Sequence, residues 1–95
     1  MGGYVYIFAS APYGTLYIGV TNDIARRAFE HREGVGSQLC AKYKVHRLVR
    51  TEAFEDISNA IRREKCLKKW PRQWKINLIE RENPRWDNLY DRLNC

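Results

Sequence analysis

The sequence lacks the apolar segments that would direct a protein into or across a membrane. No run of 18 or more apolar residues occurs in the 95-residue chain, so no membrane-spanning helix is predicted. The first four residues, Met1 to Tyr4, carry no basic segment followed by an apolar one, which argues against a signal peptide. We therefore expect a cytoplasmic protein without a membrane partner.

Cysteine is also scarce, and its spacing follows no known pattern. Cys40, Cys66 and Cys95 are an odd number of residues at long, irregular intervals. Such intervals fit neither a disulfide framework nor the paired ligands of a zinc site. We expect three free thiols that serve mostly in packing.

The overall composition is that of one folded, basic domain. Hydrophobic residues make up 44% of the chain, and a chain of this length supports one domain over residues 1–95 with a single core. The 17 Lys and Arg residues exceed the 11 Asp and Glu residues, which favours a polyanionic partner such as nucleic acid. Charge that serves only solubility explains the same excess equally well.

Two short runs of β-branched and aromatic residues predict a β-hairpin. They extend from Tyr4 to Phe8 and from Thr15 to Val20, and the turn-forming residues 10–14 separate them. Within the second run, Gly19 occupies a position where the strand should still be paired. A glycine there indicates either that another group approaches the backbone closely or that the chain leaves the strand sharply.

The hairpin concentrates tyrosines on one side of the sheet. Because side chains alternate along a strand, Tyr4, Tyr6 and Phe8 share one face, and Tyr17 comes from the paired strand. Tyrosine is a favourable strand residue that keeps its hydroxyl in water, so a purely structural role remains open.

An amphipathic helix follows the hairpin. Thr21 or Asn22 can cap it, and its apolar arc is predicted from residues one turn apart, namely Ile24, Ala25, Ala28 and Phe29. Arg27 and His31 lie together at the border of this arc. Two cations at this spacing repel each other, so the pair suits a common anion, although a surface arginine beside an ordinary histidine is an equally simple explanation.

The middle of the chain predicts a loop and a third strand. Residues 33–38 contain two glycines and no periodicity, which indicates a loop that lets a ligand approach the backbone. Strand formers then predict a strand near 45–52, with His46 on its polar face.

A second helix, predicted over about 56–69, carries an acidic residue on its apolar face. Ile57, Ala60, Ile61 and Leu67 form the stripe, and Glu64 lies within it. A buried charge without a partner is costly, so the carboxylate should be paired, protonated or bound to a metal. Lys68, one turn later, could be that partner.

Cations and tryptophans alternate from this helix into the next. Trp70 and Trp74 are interleaved with seven cations, namely Arg62, Arg63, Lys65, Lys68, Lys69, Arg72 and Lys75. The pattern suits a surface that follows phosphates and stacks bases, although tryptophans at this spacing are as often in a core. After Pro71, a helix over about 71–82 would turn Trp74 and Leu78 inward, with Ile79 as a further core residue, and Trp86 would dock the tail.

In their order along the chain, these features resemble the motifs of the GIY-YIG nuclease superfamily. The carriers are Tyr4-Val5-Tyr6, Tyr17-Ile18-Gly19, Arg27, His31 and Glu64. Over residues 3–90 the chain is similar to the small single-domain members of the UPF0213 or Uri type. The first motif reads Tyr-Val-Tyr instead of Gly-Ile-Tyr, but its final tyrosine is present as Tyr6.

The resemblance implies a fold and an activity. The fold is a small α+β domain in which helices flank a central three-stranded antiparallel sheet. The activity is that of a DNA endonuclease, which hydrolyses phosphodiester bonds with a single divalent cation, Mg²⁺ or Mn²⁺. We expect the chain to act as a monomer.

The same resemblance assigns roles within the site. Glu64 would hold the cation, and Arg27 would clamp the scissile phosphate. Tyr6 would serve as general base with Tyr17 orienting the nucleophile, although Tyr17 acting with His31 is an alternative base. A phenol with a pKa of about 10 needs nearby cations for this work. Gly19 supports the site, and Asn83 is preferred over Asn77 and Asn88 for the family's late asparagine.

Substrate contacts are expected from cations near the site, namely Arg26, Lys42, Arg63, Lys68, Lys69 and Arg72. With no separate DNA-binding domain, we expect strand or structure selectivity, with single-stranded DNA preferred over branched DNA and little sequence specificity. DNA repair, recombination or uptake would need such an enzyme. The alternatives are an inactive nucleic-acid-binding module with the same basic surface and a structural protein whose polar residues are satisfied internally.

Overall fold

The computed structural model describes residues 2–33 and 45–94 of the chain. These residues form an α+β domain with a three-stranded antiparallel sheet, as expected. The elements in chain order are β1 (Gly3–Ala9), β2 (Leu16–Thr21), α1 (Ile24–Arg32), β3 (Arg47–Phe54), α2 (Ile57–Lys68), α3 (Arg72–Glu82) and a 3₁₀ helix (Leu89–Asn94). Within these two ranges, no helix has the length and apolar character needed to cross a membrane.

The sheet has the order β2-β1-β3, so β1 is the central strand. The predicted hairpin is confirmed, because β1 pairs with β2 in a register that sets Tyr6 opposite Gly19 and Phe8 opposite Tyr17. The third strand begins at Arg47, so His46 precedes it instead of lying on its polar face. The loop predicted over 33–38 lies outside the described residues beyond Glu33.

Alternation along β1 divides the buried side chains between the two faces of the sheet. Val5 and Ile7 pack with residues of α2 and α3 on one face, which we call the Val5 face. Tyr6 and Phe8 pack with Ile24 and Ala28 of α1 on the other, the Tyr6 face. The single core expected from chain length is therefore two clusters, because the central strand is buried on both sides.

The cap of α1 lies one residue beyond the predicted positions. Asp23 is the N-cap, and its side-chain oxygen accepts from the Arg26 amide at 3.1 Å. Thr21 instead supports the cap, since its Oγ1 accepts from the Asp23 amide at 3.1 Å. Asp56 caps α2 in the same way by accepting from the Ser58 amide.

The buried stripe of α1 differs from the predicted apolar arc. Ala25 and Phe29 are exposed, whereas Ile24, Ala28 and His31 are buried. The helix is rotated in this way because the His31 ring stacks on Phe8, with 3.9 Å between ring centroids and planes within 2°. An aromatic partner on the sheet thus outweighs the hydrophobicity of Phe29.

Two further residues predicted to face the core are exposed. Ile61 of α2 is exposed, and Trp74 of α3 is 55% exposed. Leu78 and Ile79 are buried as predicted, together with Ile76. These three residues fill the contact between α3 and the Val5 face, so Trp74 lies outside it and packs edge-on against Trp70.

The C-terminal part of the chain holds the β1–β2 turn in place. Trp86 is buried, which confirms its predicted docking, and its Nε1 donates to Glu80 at 2.9 Å. The Tyr13 hydroxyl donates to the same carboxylate at 2.5 Å. Arg72 Nη2 donates to the carbonyl oxygens of Tyr13 and Gly14, both at 2.6 Å. The turn is therefore fixed to α3 from both sides.

Candidate functional site

The ring of Tyr6 lies directly over Gly19 on the neighbouring strand. A Cβ atom at position 19 would be 2.3 Å from the Tyr6 hydroxyl oxygen and 2.5 Å from its ring carbon Cζ. Real Cβ atoms do not come so close, so any side chain at position 19 would displace the tyrosine. The close approach predicted for Gly19 is confirmed, and the atoms that approach belong to Tyr6.

Four aromatic rings converge on the Tyr6 face. Tyr6 and Tyr17 are stacked with centroids 6.4 Å apart. The His31 ring lies 5.8 Å from Tyr6 and 5.6 Å from Tyr17, and Phe8 supports it from below. Tyr6 is only 1% exposed, whereas Tyr17 is half-buried. Solvent and substrate can therefore reach Tyr17 more readily than Tyr6.

Arg27 brings a positive charge to the edge of this cluster. Its Nη1 lies 3.5 Å from the Tyr6 hydroxyl oxygen, at the outer limit of a hydrogen bond. Its Nε lies 3.3 Å from Glu30 Oε1, one turn later on α1. The arginine side chain is 40% exposed, so its guanidinium is accessible to an anion while it contacts the tyrosine.

A polar pocket opens beside Arg27. It has a volume of about 200 Å³, and its lining residues come from the end of β2 and the start of α1. They are Thr21, Asn22, Asp23, Arg26, Arg27 and Glu30. Two arginines and two carboxylates thus face one small opening, which is a suitable surface for a charged and hydrated group.

His31 is held as a neutral imidazole. Burial lowers its pKa below the ordinary value of 6.5, a backbone contact with Val45 opposes this in part, and the nearby charges of Arg27 and His46 lower it further. Nδ1–H donates to the Val45 carbonyl oxygen at 3.3 Å, because a carbonyl can only accept. The tautomer is thereby fixed, and Nε2 carries the lone pair. His46 Nδ1–H in turn donates to the His31 carbonyl oxygen.

We predict that His31 makes the protein less stable in weak acid. Well above pH 6.5 the ring is neutral in both the folded and the unfolded chain, so its titration does not change the free energy of unfolding there. Below that pH the unfolded chain binds a proton that the folded chain resists, and the free energy of unfolding falls. Urea unfolding at pH 7.0, 6.0 and 5.5 measures this loss. His31→Phe should flatten the dependence, and an equal slope in wild type and variant would contradict the assignment.

Glu64 lies in the middle of α2 and is paired within that helix. The residues that anchor α2, including Ala60 and Leu67, pack on the Val5 face. The Glu64 side chain is 15% exposed and forms an ion pair with Lys68, with 3.4 Å between Oε2 and Nζ. Of the explanations open for a carboxylate in this stripe, pairing with Lys68 is therefore observed.

Two of the cations predicted to contact nucleic acid are used within the fold. Arg63 donates through Nε and Nη2 to the two carboxylate oxygens of Glu52, at 2.9 and 3.2 Å. Burial raises the pKa of Glu52, but the hydrogen bonds from Arg63 and Arg50 outweigh it and lower the pKa overall. Arg72 holds the β1–β2 turn, as described above.

The other predicted cations are more accessible. Arg26, Lys68 and Lys69 are exposed, although Arg26 lies 3.7 Å from Glu30 and Lys68 pairs with Glu64. Lys42 lies outside the described residues. The available positive surface therefore combines the start of α1 with the end of α2.

Asn83 is the most buried of the three late asparagines. Its Nδ2 donates to the carbonyl oxygens of Val49 and Asp87, and its Oδ1 accepts from the Asp87 amide. Asn88 Oδ1 accepts from the Leu48 and Tyr90 amides, and Asn77 pairs with Gln73 on the exposed side of α3. Asn83 thus joins the end of α3 to β3 and the tail, which is a supporting role.

Sequence reasoning missed two residues that shape the site. Glu30 neutralises part of the Arg27 charge, and its position three residues after Arg27 is the signal that could have indicated the pair. Phe8 orients His31 by stacking, and its alternation with Tyr6 on β1 already placed it on the correct face.

Comparison with known proteins identifies the family. The family model described as the GIY-YIG catalytic domain matches residues 2–77. The chain belongs to the GIY-YIG family. The matched range of this GIY-YIG domain contains Tyr6, Tyr17, Arg27, His31 and Glu64, and Asn83 lies beyond its end.

The most similar relatives carry the same subgroup name. A UPF0213 protein of Staphylococcus saprophyticus is 36% identical over 76 residues, which cover 80% of this GIY-YIG chain and 92% of the relative. A UPF0213 protein of Natronomonas pharaonis is 37% identical over 79 residues, covering 83% and 92%. The solution NMR structure of a UPF0213 protein from Bacillus halodurans aligns with a TM-score of 0.55 and 33% identity, covering 93% of both chains.

Proposed function

We propose that this GIY-YIG domain is a metal-dependent DNA endonuclease. The observation that carries the proposal is the convergence of Arg27 and the two phenols. The guanidinium contacts the Tyr6 hydroxyl while remaining 40% exposed, and Tyr17 is stacked beside Tyr6. Hydrolysis of a phosphodiester requires a group that activates water and fixed donors for the oxygens that gain charge. Tyrosines and an arginine beside an open polar pocket supply both.

Arg27 is the phosphate clamp in this proposal. Its planar guanidinium can donate two parallel hydrogen bonds to phosphate oxygens, which a lysine cannot do. The contact with Tyr6 fixes one end of the side chain. The ion pair with Glu30 holds the guanidinium until a phosphate of the substrate takes the place of that carboxylate.

Burial favours Tyr17 over Tyr6 as the group that activates water. A general base must come within hydrogen-bond distance of the attacking water. Tyr17 is half-buried and can meet that water, whereas Tyr6 is almost fully enclosed and contacts Arg27. We therefore assign Tyr17 as the base and Tyr6 as the residue that positions Arg27. His31, with an unprotonated Nε2 and its ring 5.6 Å from Tyr17, is the residue suited to receive the phenol proton.

Glu64 would hold the divalent cation. Its carboxylate is a hard oxygen ligand, and the described residues contain no cluster of three or more His, Cys, Asp or Glu side chains. This donor set fits Mg²⁺ or Mn²⁺, which accept one carboxylate and keep most of their waters. When bound, the ion supplies positive charge for the phosphate oxygens. Without the ion, the Lys68 ammonium is paired with this carboxylate.

The basic surface supports single-stranded DNA as the preferred substrate, with branched DNA second. The segment 57–82, from α2 to α3, holds eight Lys and Arg residues and three Glu residues, so it carries +5 of the net +6 charge. A strand without a partner can bind such a surface through its phosphates and unstacked bases. A cytoplasmic monomer with this activity would act in DNA repair, recombination or uptake. The inactive binding module remains the second candidate, because the same charge serves it equally.

The decisive experiment compares cleavage and binding in one preparation. Labelled single-stranded, duplex and flap DNA are incubated with Mg²⁺, with Mn²⁺ and with EDTA, and the Arg27→Ala/Glu64→Ala double variant controls for contaminating nucleases. Metal-dependent cutting by wild type alone supports the proposal. Binding without cutting under every metal condition would establish the inactive module instead.

Removing single hydroxyls tests the two tyrosines. We expect Tyr17→Phe to slow single-turnover cleavage about 100-fold, within the range for loss of general base catalysis. Tyr6→Phe should cost less, because it loosens Arg27 without removing it. The thermal unfolding of both variants provides the matched control. If Tyr6→Phe lowers the cleavage rate more than Tyr17→Phe does, Tyr6 and not Tyr17 is the general base.

A further inference from the structure

A second recess lies on α3, outside the set of residues assigned to catalysis. It has a volume of about 310 Å³ and is lined by Trp70, Trp74, Asn77, Leu78 and Arg81. We call it the tryptophan cleft. Trp74 is 55% exposed, and its ring meets Trp70 edge-on with centroids 5.8 Å apart. The exposed indole leaves apolar surface in water, and a ligand that covered this surface would gain the free energy of its burial.

Contacts from the fold hold this cleft in shape. The Arg63 guanidinium lies over the Trp70 ring, 5.1 Å from its centroid. Arg63 is itself fixed by two hydrogen bonds to Glu52. Leu78 is buried against the Val5 face and forms the floor. Trp70 and Leu78 are therefore held in place by the fold itself, and Trp74 forms the exposed side of the cleft.

The surroundings of the cleft are strongly positive. It lies within the segment 57–82, which carries almost the whole charge excess of the chain. Lys68 and Lys69 directly precede Trp70, and Arg81 lines the cleft itself. A polyanion attracted to these cations would pass the exposed indole. An uncharged peptide would gain nothing from them, and the cleft is lined by five residues, whereas a stable protein interface takes about 20–30 residues a side.

We propose that the tryptophan cleft binds one unpaired base of single-stranded DNA. The base stacks on Trp74, Arg81 and Lys69 neutralise the adjacent phosphates, and Leu78 contributes apolar contact. The inference rests on the proposed function for its choice of ligand. It adds a binding subsite on the helix that packs on the Val5 face, whereas Arg27 and Tyr17 belong to the opposite face. Duplex DNA has no free base to offer, so the cleft would select single strands.

The test measures binding without turnover. Fluorescence anisotropy of labelled (dT)₂₀ and of a 20-base-pair duplex is recorded in EDTA for wild type, Trp74→Ala and Trp74→Phe. Stacking of one base is worth about 1–3 kcal/mol, which is about 5- to 150-fold in affinity. We expect Trp74→Ala to weaken (dT)₂₀ binding within this range while duplex affinity changes less than about twofold. Trp74→Phe should retain most of the affinity, because it keeps a stacking face.

Phe29→Ala is the matched control, since Phe29 is also an exposed aromatic but lies on α1. Its affinity for both probes should equal that of wild type. The inference is overturned if Trp74→Ala leaves (dT)₂₀ binding unchanged or weakens both probes equally. It is also overturned if wild type is a dimer by sedimentation and Trp74→Ala a monomer, because the cleft would then be a protein interface.

The two proposals fail separately. If wild type cuts DNA but Trp74→Ala binds (dT)₂₀ normally, the nuclease remains and the subsite is lost. If no metal supports cutting but Trp74→Ala loses single-strand binding, the subsite remains and belongs to an inactive binding module.

Discussion

Replacing Arg27 with lysine is expected to lower the single-turnover rate of DNA cleavage about 10²- to 10³-fold, the loss typical of one fixed donor to a developing oxyanion. Lysine keeps the charge but cannot donate two parallel hydrogen bonds, because its three N–H donors are on a single nitrogen and lack the fixed planar geometry of the guanidinium. DNA affinity should change little, because the charge is unchanged. Rapid-quench measurement with end-labelled single-stranded DNA separates these two quantities.

Arg26→Lys provides the matched control. Arg26 is adjacent on α1, is exposed and also pairs with Glu30, whereas Arg27 is the arginine whose Nη1 lies 3.5 Å from the Tyr6 hydroxyl oxygen. Its cleavage rate should remain within about twofold of wild type. A comparable loss in both variants would mean that the charge of α1, and not the placement of Arg27, supports cleavage.

Replacing Glu64 with glutamine is expected to reduce metal-dependent cleavage by about three orders of magnitude. A bound cation contributes several kcal/mol to stabilising charge in the transition state, and about 1.4 kcal/mol corresponds to a tenfold change in rate. Glutamine has nearly the same shape but carries no charge to hold the ion. Titration with Mn²⁺ measures both the maximal rate and the concentration that gives half of it.

Lys68→Gln complements this variant, because it is expected to shift the metal requirement in the opposite direction. Lys68 pairs with the Glu64 carboxylate, so its removal should lower the Mn²⁺ concentration needed for half-maximal cleavage. Thermal unfolding of both variants checks that α2 is intact. Full activity in Glu64→Gln would remove this residue as the metal ligand and direct the search to other carboxylates.

Much of the fold could be predicted because local patterns agreed with the tertiary structure. Alternation on β1 placed Tyr6 on one face and Val5 on the other, and both faces are buried as that pattern requires. Gly19 was recognisable as a point of close approach because glycine weakens the interior of a strand and often marks a place where another group comes close to the backbone. The ordered resemblance to GIY-YIG motifs then connected residues that no local pattern could join.

The errors arose where a residue's burial depends on a distant partner. A helical wheel ranks Phe29 above His31, yet His31 is buried because Phe8 offers a ring to stack on. Trp74 was predicted to face the core together with Leu78, but Ile76, Leu78 and Ile79 fill that contact. Arg63 lies on α2 and its partner Glu52 lies on β3, so no local sequence pattern indicated this ion pair.

The contact between Gly19 and Tyr6 also limits how this sequence can change over evolution. Every substitution at position 19 adds a Cβ atom, and that atom would occupy the space of the Tyr6 hydroxyl. An alanine at position 19 would therefore displace the Tyr6 ring, and with it the phenol that contacts Arg27. We therefore expect the two positions to change together, although twelve residues lie between them in the chain.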